Sequence, residues 1–552
     1  MAVALALTAF PAPARAADGD GTSAAEIRRL ADTLATAALS HQNPEGLIHD
    51  PVKDRYVAHY GPAGFGYAGL RAAQRNGDPE LLERALRAVL VSARQGHATP
   101  FDQWLTAKSY AFAQRHFARS KAWLAAAPKV AAYLDQAPFH STVRRPSPTW
   151  TSDRRYNNWK LVELAARAVA LDAGRFPLDA ARRRRLATIS GMAANAAAGP
   201  APVNTWLGGS ARVLSDPTSN PLAYAVLSAV ALREARRARP AIVPGALAGL
   251  RAPTSRFLLS VAGPDGTVAW SGRSAHLSWT LVGSMIIGID RGDRDGRGLA
   301  HAAWRQLNDR FGVRPDGYLA IAPVLRRANA TLGLDGYADM VIYGGLTTAL
   351  LNDAADALEG QPPLTGGPPS ATRSGTFADP NGAGVAAARR GDVWWAATTR
   401  ASDHDLRFQP GLQLVQVRTG AGWENVLPVR PRRSKRPPLW PAPAGCVWRT
   451  TGTTSLGCGR RSLRIATRGE RVAMELRLAP GERAAGWLYV AEPVRDGART
   501  LRWRGGSLQS SGDLQLRVDH RRMSSASDPD LQAVRYAVRA DRRGRAVVSI
   551  GR

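Results

Sequence analysis

The sequence predicts a multidomain chain that is helical first and β afterwards. Three observations carry this: apolar residues recur at helical spacing from Ser23 to about Leu358, a Pro/Gly-rich stretch occupies 359–383, and the period then switches to two. At 552 residues the chain exceeds one ordinary core, so two or more domains are expected.

In the helical part, Ser23-Ala-Ala-Glu26 is a capping box opening a helix whose face carries Ile27, Leu30 and Leu34. Comparable stretches lie at about 63–75, 79–94, 102–117, 119–135, 157–172, 178–198, 220–238, 246–262, 275–288, 296–311 and 338–358, with loops such as Gly77-Asp78-Pro79 between them. Antiparallel helices with short connections close into a ring of hairpins or stack as an open solenoid, and periodicity fits both. Gly360-Gln-Pro-Pro-Leu-Thr-Gly-Gly-Pro-Pro369 has a linker's composition. In the β part, 384–552, Val472, Met474 and Leu476 alternate with Ala473, Glu475 and Arg477, and Leu514, Leu516 and Val518 with Gln515 and Arg517, the pattern of an antiparallel sandwich.

Residues 1–16 are apolar and end in Ala14-Arg15-Ala16, which reads as a signal peptide and implies a secreted, extracellular protein, although no Lys or Arg precedes Arg15. No other run reaches the roughly 20 apolar residues of a membrane span. Cys446 and Cys458 suit a local disulfide across a hairpin in an exported protein, with two buried free thiols as the alternative. Neither reading involves them in chemistry, and no metal or cofactor is expected. Of the 74 basic residues all but six are arginine, and the net charge is +30. Basic clusters are short, Arg182–Arg185 and Arg430–Lys435, and none is interleaved with aromatics. An anionic polysaccharide or a negatively charged wall fits the balance as well as DNA does, and nucleic acid is not expected because export and the absence of a recognised binding module weigh against it.

Three segments bear chemistry. Tyr156-Asn157-Asn158-Trp159 opens a helix; paired Asn serve as caps, and Asn flanked by aromatics also suits a sugar-binding groove. In Asp216-Pro-Thr-Ser-Asn220-Pro221-Leu-Ala-Tyr224, Tyr224 sits one turn into a helix, where it is a reactive phenol or a half-buried core residue. In Asp265-Gly-Thr-Val-Ala-Trp270-Ser-Gly-Arg273-Ser-Ala-His276, Arg273 and His276 share a helical face if the helix starts by Arg273. Lesser signals are Trp104, Asp316-Gly-Tyr318, Tyr343-Gly-Gly-Leu346 and Asp403-His404-Asp405-Leu-Arg407, the last a turn rather than a metal site. No phosphate-binding loop, dinucleotide fingerprint, zinc-protease motif or nucleophile elbow is present in the sequence.

On Asn157-Asn158, Asn-Pro-Leu-Ala-Tyr224, Gly-Arg273-Ser-Ala-His276 and the β-region stretch Gly391-Asp-Val-Trp-Trp395 with His404 and Arg407-Phe-Gln-Pro-Gly411, the chain resembles the polysaccharide lyases built from an α/α toroid and an antiparallel β-sandwich, the heparinase II/III-like and oligoalginate lyase-like superfamily. The resemblance implies β-elimination at a 4-linked uronate: a base removes the C5 proton, neutralising groups hold the carboxylate, and the O4 group leaves. It implies Asn158, Arg273 and His276 or His404 as carboxylate partners and Tyr224 as base and acid. Asn157, Tyr156, Trp159, Trp104, Trp270 and Arg407 are the expected substrate-binding side chains. The sequence departs from the oligoalginate lyases where Trp159 follows the Asn pair in place of His, and Ala225 rather than His follows Tyr224. A glycoside hydrolase using a pair among Asp153, Asp216, Asp265 and Glu163, and a non-catalytic glycan- or wall-binding protein, are the alternative readings.

Overall fold

The computed structural model describes residues 21–94, 99–139, 158–197, 203–204, 210–211, 221–272, 274–326, 339–376, 384–399, 411–428, 448–450, 455–458, 463–525, 527–528 and 530–552. The leader-like residues 1–16 and Cys446 lie outside them, and with Cys446 the expected disulfide. The helices are α1 (Ala24–Ser40), α2 (Gly61–Asn76), α3 (Pro79–Arg94), α4 (Pro100–His116), α5 (Lys121–Gln136), α6 (Asn158–Asp172), α7 (Ala180–Ala197), α8 (Pro221–Ala238), α9 (Gly245–Ala248), α10 (Arg251–Val261), α11 (Ser278–Arg291), α12 (Arg294–Gln306), α13 (Met340–Leu358) and the short α14 (Pro369–Thr372). The Ser23/Glu26 capping box forms as expected, and Thr99 with Asp102 makes a second one at α4.

Two expected boundaries move. The stretch 246–262 is broken into α9 and α10, because Pro253 fits only the first turn of a helix and forces a restart at Arg251. The stretch expected at 275–288 starts at Ser278 instead, since His276 is held at φ 55°, outside the helical region, so it shares no helical face with Arg273. A hairpin of β1 (Ile48–Asp50) and β2 (Arg55–Val57) interrupts what periodicity reads as helical.

Of the two helical arrangements, the structure has the ring. α2, α4, α6, α8 and α11 pack each on the next, α11 packs on α13, and α13 returns onto α2. Outside them α1 covers α13 and α2, α3 covers α2, α5 covers α4, α7 covers α6, α10 covers α8 and α12 covers α11. The inner helices are buried on nearly all sides, as helices apolar all round must be. They run parallel, because contacts join equivalent turns. Phe101 near the head of α4 meets Trp159 near the head of α6, and Tyr224 meets Trp279 at the heads of α8 and α11. Where α2 and α13 close the ring, Gly64 lies against Gly345: a Cβ on Gly64 would come within 2.5 Å of the Gly345 backbone. Gly64→Ala is expected to force the two helices apart and lower stability by about 1–3 kcal/mol, read by chemical denaturation.

The β region is antiparallel throughout. Its first sheet runs in sequence order through β5 (Gly375–Thr376), β6 (Val385–Arg390), β7 (Val393–Thr398), β8 (Gly411–Thr419) and β9 (Gly422–Asn425), the small ladder β3 (Val203–Asn204) with β4 (Ser210–Ala211) lying earlier in the chain. The remaining strands are β10 (Trp448–Thr450), β11 (Ser455–Cys458), β12 (Leu463–Arg468), β13 (Arg471–Arg477), β14 (Arg483–Val490), β15 (Val494–Asp496), β16 (Thr500–Trp503), β17 (Gly506–Ser510), β18 (Leu514–Met523), β19 (Leu531–Arg539) and β20 (Arg545–Gly551). They form one sheet in the order β10-β11-β12-β13-β20-β17-β16-β15 and another in the order β14-β19-β18.

The first sheet is buried on both faces. Along it Val385, Ala387, Trp394, Ala396 and Leu414 join the helical core, while Ala386, Ala388, Val393, Trp395 and Val415 join the sandwich core. The alternation is the ordinary period of a strand, used here to bond two domains at once. The Pro/Gly-rich segment is tied down where it is described. Leu364 and Thr22 exchange backbone hydrogen bonds, Arg297 donates to the Pro362 and Pro363 carbonyls, and the Ser370 hydroxyl donates to the Ala262 carbonyl at 2.6 Å.

Candidate active site

Parallel inner helices place all their N-terminal ends on one rim of the ring. Each N-terminus carries a partial positive charge from its aligned peptide dipoles. In α2, α6, α8, α11 and α13 no acidic residue in the first turn offsets it, and α4, with Asp102 in its capping box, is the exception among the inner helices. Asp339, just before α13, is itself paired to Lys53 at 2.7 Å and Arg55 at 3.0 Å.

Asn158 is the first residue of α6, Tyr224 lies in the first turn of α8, and His276 stands two residues before α11. Three consecutive inner helices therefore present them on the same rim. Asn158 is buried, and its side-chain carbonyl oxygen has no hydrogen-bond partner among the described residues. An unpaired buried amide oxygen is costly, and Asn158 shares this state with other buried atoms among the described residues, such as Gln103 Oε1 and Trp279 Nε1. The Tyr224 hydroxyl is 2.9 Å from the Ser274 hydroxyl, which brings Tyr224 to the loop that carries His276. That loop is strained at two side-chain-bearing residues: Ser274 and His276 have φ of 62° and 55°. Such strain in side-chain-bearing residues gathers at functional sites. The His276 ring reaches the Trp270 carbonyl through Nε2 at 3.0 Å. A carbonyl only accepts, so Nε2 carries the proton, and in the neutral ring Nδ1 is the acceptor. Ala262 to Thr267, which lead into this loop, abut the first sheet of the sandwich, with the Arg310 side chain bridging Asp265 and the Trp423 carbonyl.

Other expected site residues fall elsewhere. Trp104 and Trp270 are 0 % and 2 % exposed. Trp104 packs inside the ring, with Lys108 over its face, and Trp270 donates its indole N–H to the Val261 carbonyl, so both serve as interior packing and not as surfaces for a sugar. Trp159 is half-buried on the rim. Tyr156, Asn157, Arg273, His404 and Arg407 lie outside the described residues.

Sequence reasoning missed two features of the ring. The first is an aromatic row on the same rim: Tyr60, at the head of α2, stacks on Phe101 at 4.8 Å, and Phe101 meets Trp159 edge-on at 6.5 Å. The second is a buried ionic cluster further along the inner helices. Lys108 Nζ lies 2.6 Å from both Asp353 oxygens and 3.2 Å from Glu234, joining α4, α13 and α8. Tyr67 and Arg71 of α2 extend it to Asp356. Burial disfavours the Lys108 ammonium, but Asp353 and Glu234 outweigh it and hold its pKa above the usual lysine value. For Glu234 burial is likewise outweighed, by Lys108 and Arg233, and its pKa is lowered. Charged residues inside otherwise apolar helical stretches were the signal that marked this cluster.

No family model matches the sequence, and no curated protein matches it. Among solved structures, the chain is similar to chondroitin AC lyase of Streptomyces coelicolor A3 in complex with chondroitin sulphate, at 13% identity over 96% of this chain and 79% of that one, with a TM-score of 0.43. It is also similar to a mutant of the heparan sulfate lyase HepC from Pedobacter heparinus, at 12% identity over 99% of this chain and 84% of that one, with a TM-score of 0.45.

Proposed function

We propose that the protein is a secreted polysaccharide lyase that cleaves a uronate-containing anionic glycan by β-elimination. The observation that carries this reading is the placement of Asn158, Tyr224 and His276 at the heads of three consecutive inner helices, on a rim whose helix dipoles favour an anion. In the proposed reaction the Asn158 side-chain NH2 and the Nδ1–H of a doubly protonated His276, whose Nε2–H stays on the Trp270 carbonyl, hold the substrate carboxylate with Arg273 as negative charge spreads into it from C5. The Tyr224 phenolate takes the C5 proton. The C4–O4 bond breaks as the C4–C5 double bond forms, and the Tyr224 hydroxyl returns the proton to the leaving O4. The products are a new non-reducing unsaturated uronate and a free hydroxyl end, with no water consumed.

The hydrolase reading is weaker on this rim. Of its carboxylates within the described residues, Glu163 is fully buried and paired to Arg167 at 3.4 Å, and Asp265 accepts from Arg310, Gln306 and the Thr267 backbone. Asp265→Asn is therefore expected to cost stability more than turnover. The deciding experiment incubates the protein with chondroitin sulfate, heparan sulfate and alginate while following the ultraviolet absorbance of the unsaturated product. Chain shortening without absorbance would refute elimination.

A further inference from the structure

We propose that the β1–β2 hairpin is a glycan-binding arm, where the Tyr56 ring stacks on a sugar face and the Arg55 guanidinium takes a carboxylate or sulfate of the chain being cleaved. This deepens the lyase reading and rests on it for the identity of the polymer.

Tyr56 is 52 % exposed, one of three large apolar side chains so exposed among the described residues, and the other two, Leu124 and Val494, lie on the outer helix α5 and in the β region. The hairpin leads directly into the head of α2 and so stands on the rim that carries Asn158, Tyr224 and His276. It is fixed there. The buried Asp50 carboxylate accepts from the backbone N–H of Val52 and Lys53 within the hairpin and from Val341 at the head of α13. Tyr318 donates to the His49 carbonyl at 2.7 Å, and Asp339 binds both Lys53 and Arg55. A hairpin backbone held this rigidly loses little freedom when its side chains bind, so contacts made on it add affinity efficiently. The environment of the Tyr56 ring combines apolar surface with the cations Lys53 and Arg55, beside one exposed carboxylate, Asp54, which is paired to His49 at 3.1 Å. His49 meets the ring edge-on at 5.3 Å. The Arg55 side chain is 58 % exposed and engages Asp339 through Nη2, and Asp339 is shared with Lys53, so one carboxylate faces two cations. Ring faces that accept the apolar side of a pyranose, beside donors for its anionic groups, distinguish this surface from a protein-docking patch, which would need a larger apolar area. From the arm, the half-buried Tyr60 and Trp159, joined through the buried Phe101, lead around the rim to Asn158, so a polymer lying on it passes from the arm to the proposed cleavage point.

The test compares the wild type with Tyr56→Ala, Tyr56→Leu, Arg55→Ala and the remote control Leu124→Ser by affinity electrophoresis in gels containing chondroitin sulfate, heparan sulfate or alginate. Lyase assays on polymer and on the shortest cleavable oligosaccharide run alongside, and circular dichroism checks folding. The wild type should be retarded by at least one glycan. Both Tyr56 variants should bind it about five- to tenfold more weakly, Arg55→Ala should weaken binding in the same direction, and Leu124→Ser should match the wild type. KM on polymer should rise by a similar factor with kcat unchanged, and the short oligosaccharide should show no change. Wild-type retention by folded Tyr56→Leu and Arg55→Ala, or no retardation of the wild type by any of the three glycans, would overturn the arm. Weakened binding by these variants with no unsaturated product from any glycan would leave the arm standing and remove the lyase chemistry.

Discussion

Tyr224→Phe is expected to lower kcat/KM on the cleaved glycan by about two to four orders of magnitude while the protein stays folded. The substitution removes one oxygen. In the proposed reaction that oxygen both takes the C5 proton and protonates the leaving O4, and Phe can do neither. In the structure that oxygen is 2.9 Å from the Ser274 hydroxyl, so losing it deletes this hydrogen bond, worth about 1 kcal/mol, and leaves the ring against Trp279 in place. A large fall in ultraviolet product formation with a nearly unchanged melting temperature is thus the expected pair of readings. Retention of more than about a tenth of the activity would show that another group moves the proton. Ser274→Ala, which removes the partner and leaves the phenol, should cost far less activity.

The largest stability effect is expected at Lys108. Its side chain is 5 % exposed, and its ammonium lies between two carboxylates from different inner helices. Lys108→Met keeps much of the apolar stem but strands Asp353 and Glu234 without their shared cation, and removing one partner of a buried pair costs about 3–5 kcal/mol. The pH dependence has a definite sign. In the wild type the lowered Glu234 pKa means its contribution is complete above the ordinary glutamate value of 4.5 and is lost as pH falls through the depressed folded value, whereas at Asp353 burial outweighs Lys108 and holds the carboxyl above its usual range, a contribution of opposite sign. In the variant the stranded carboxyls are pushed upward by burial, so that protein loses stability as pH rises. The gap between the two proteins should therefore be widest at neutral pH and narrow in mild acid, as measured by guanidinium denaturation at both. Adding Asp353→Leu to Lys108→Met should recover part of the loss, since it removes one of the two uncompensated charges.

Most of the architecture was legible because helical and strand periods report which face is buried. α2 through α8, α12 and α13 fall within a few residues of their expected limits, and Asn158 and Tyr224 stand in the first turns where capping and Pro signals put them. The sequence could not decide ring against solenoid, since that depends on α13 finding α2. The clue was local and easily passed over: Tyr343-Gly-Gly-Leu346 supplies the small residues that let those two helices touch. His276 was misplaced onto a helix because nothing in Ser-Ala-His announces a left-handed backbone. Trp104 and Trp270 look the same in sequence as a sugar platform does, and burial alone separates the two roles. The β1–β2 hairpin is too short, at three residues a strand, for a period to register.

The ring closes only when α13 reaches α2, and α13 ends at Leu358. During synthesis the early inner helices therefore wait, with one apolar flank uncovered, until well over three hundred residues have left the ribosome. Contacts this distant in sequence make folding slow, and the waiting intermediate is the species most exposed to aggregation. A chain cut short before α13 would lack that closing wall, so truncations through this helix should appear in the insoluble fraction rather than as smaller folded proteins.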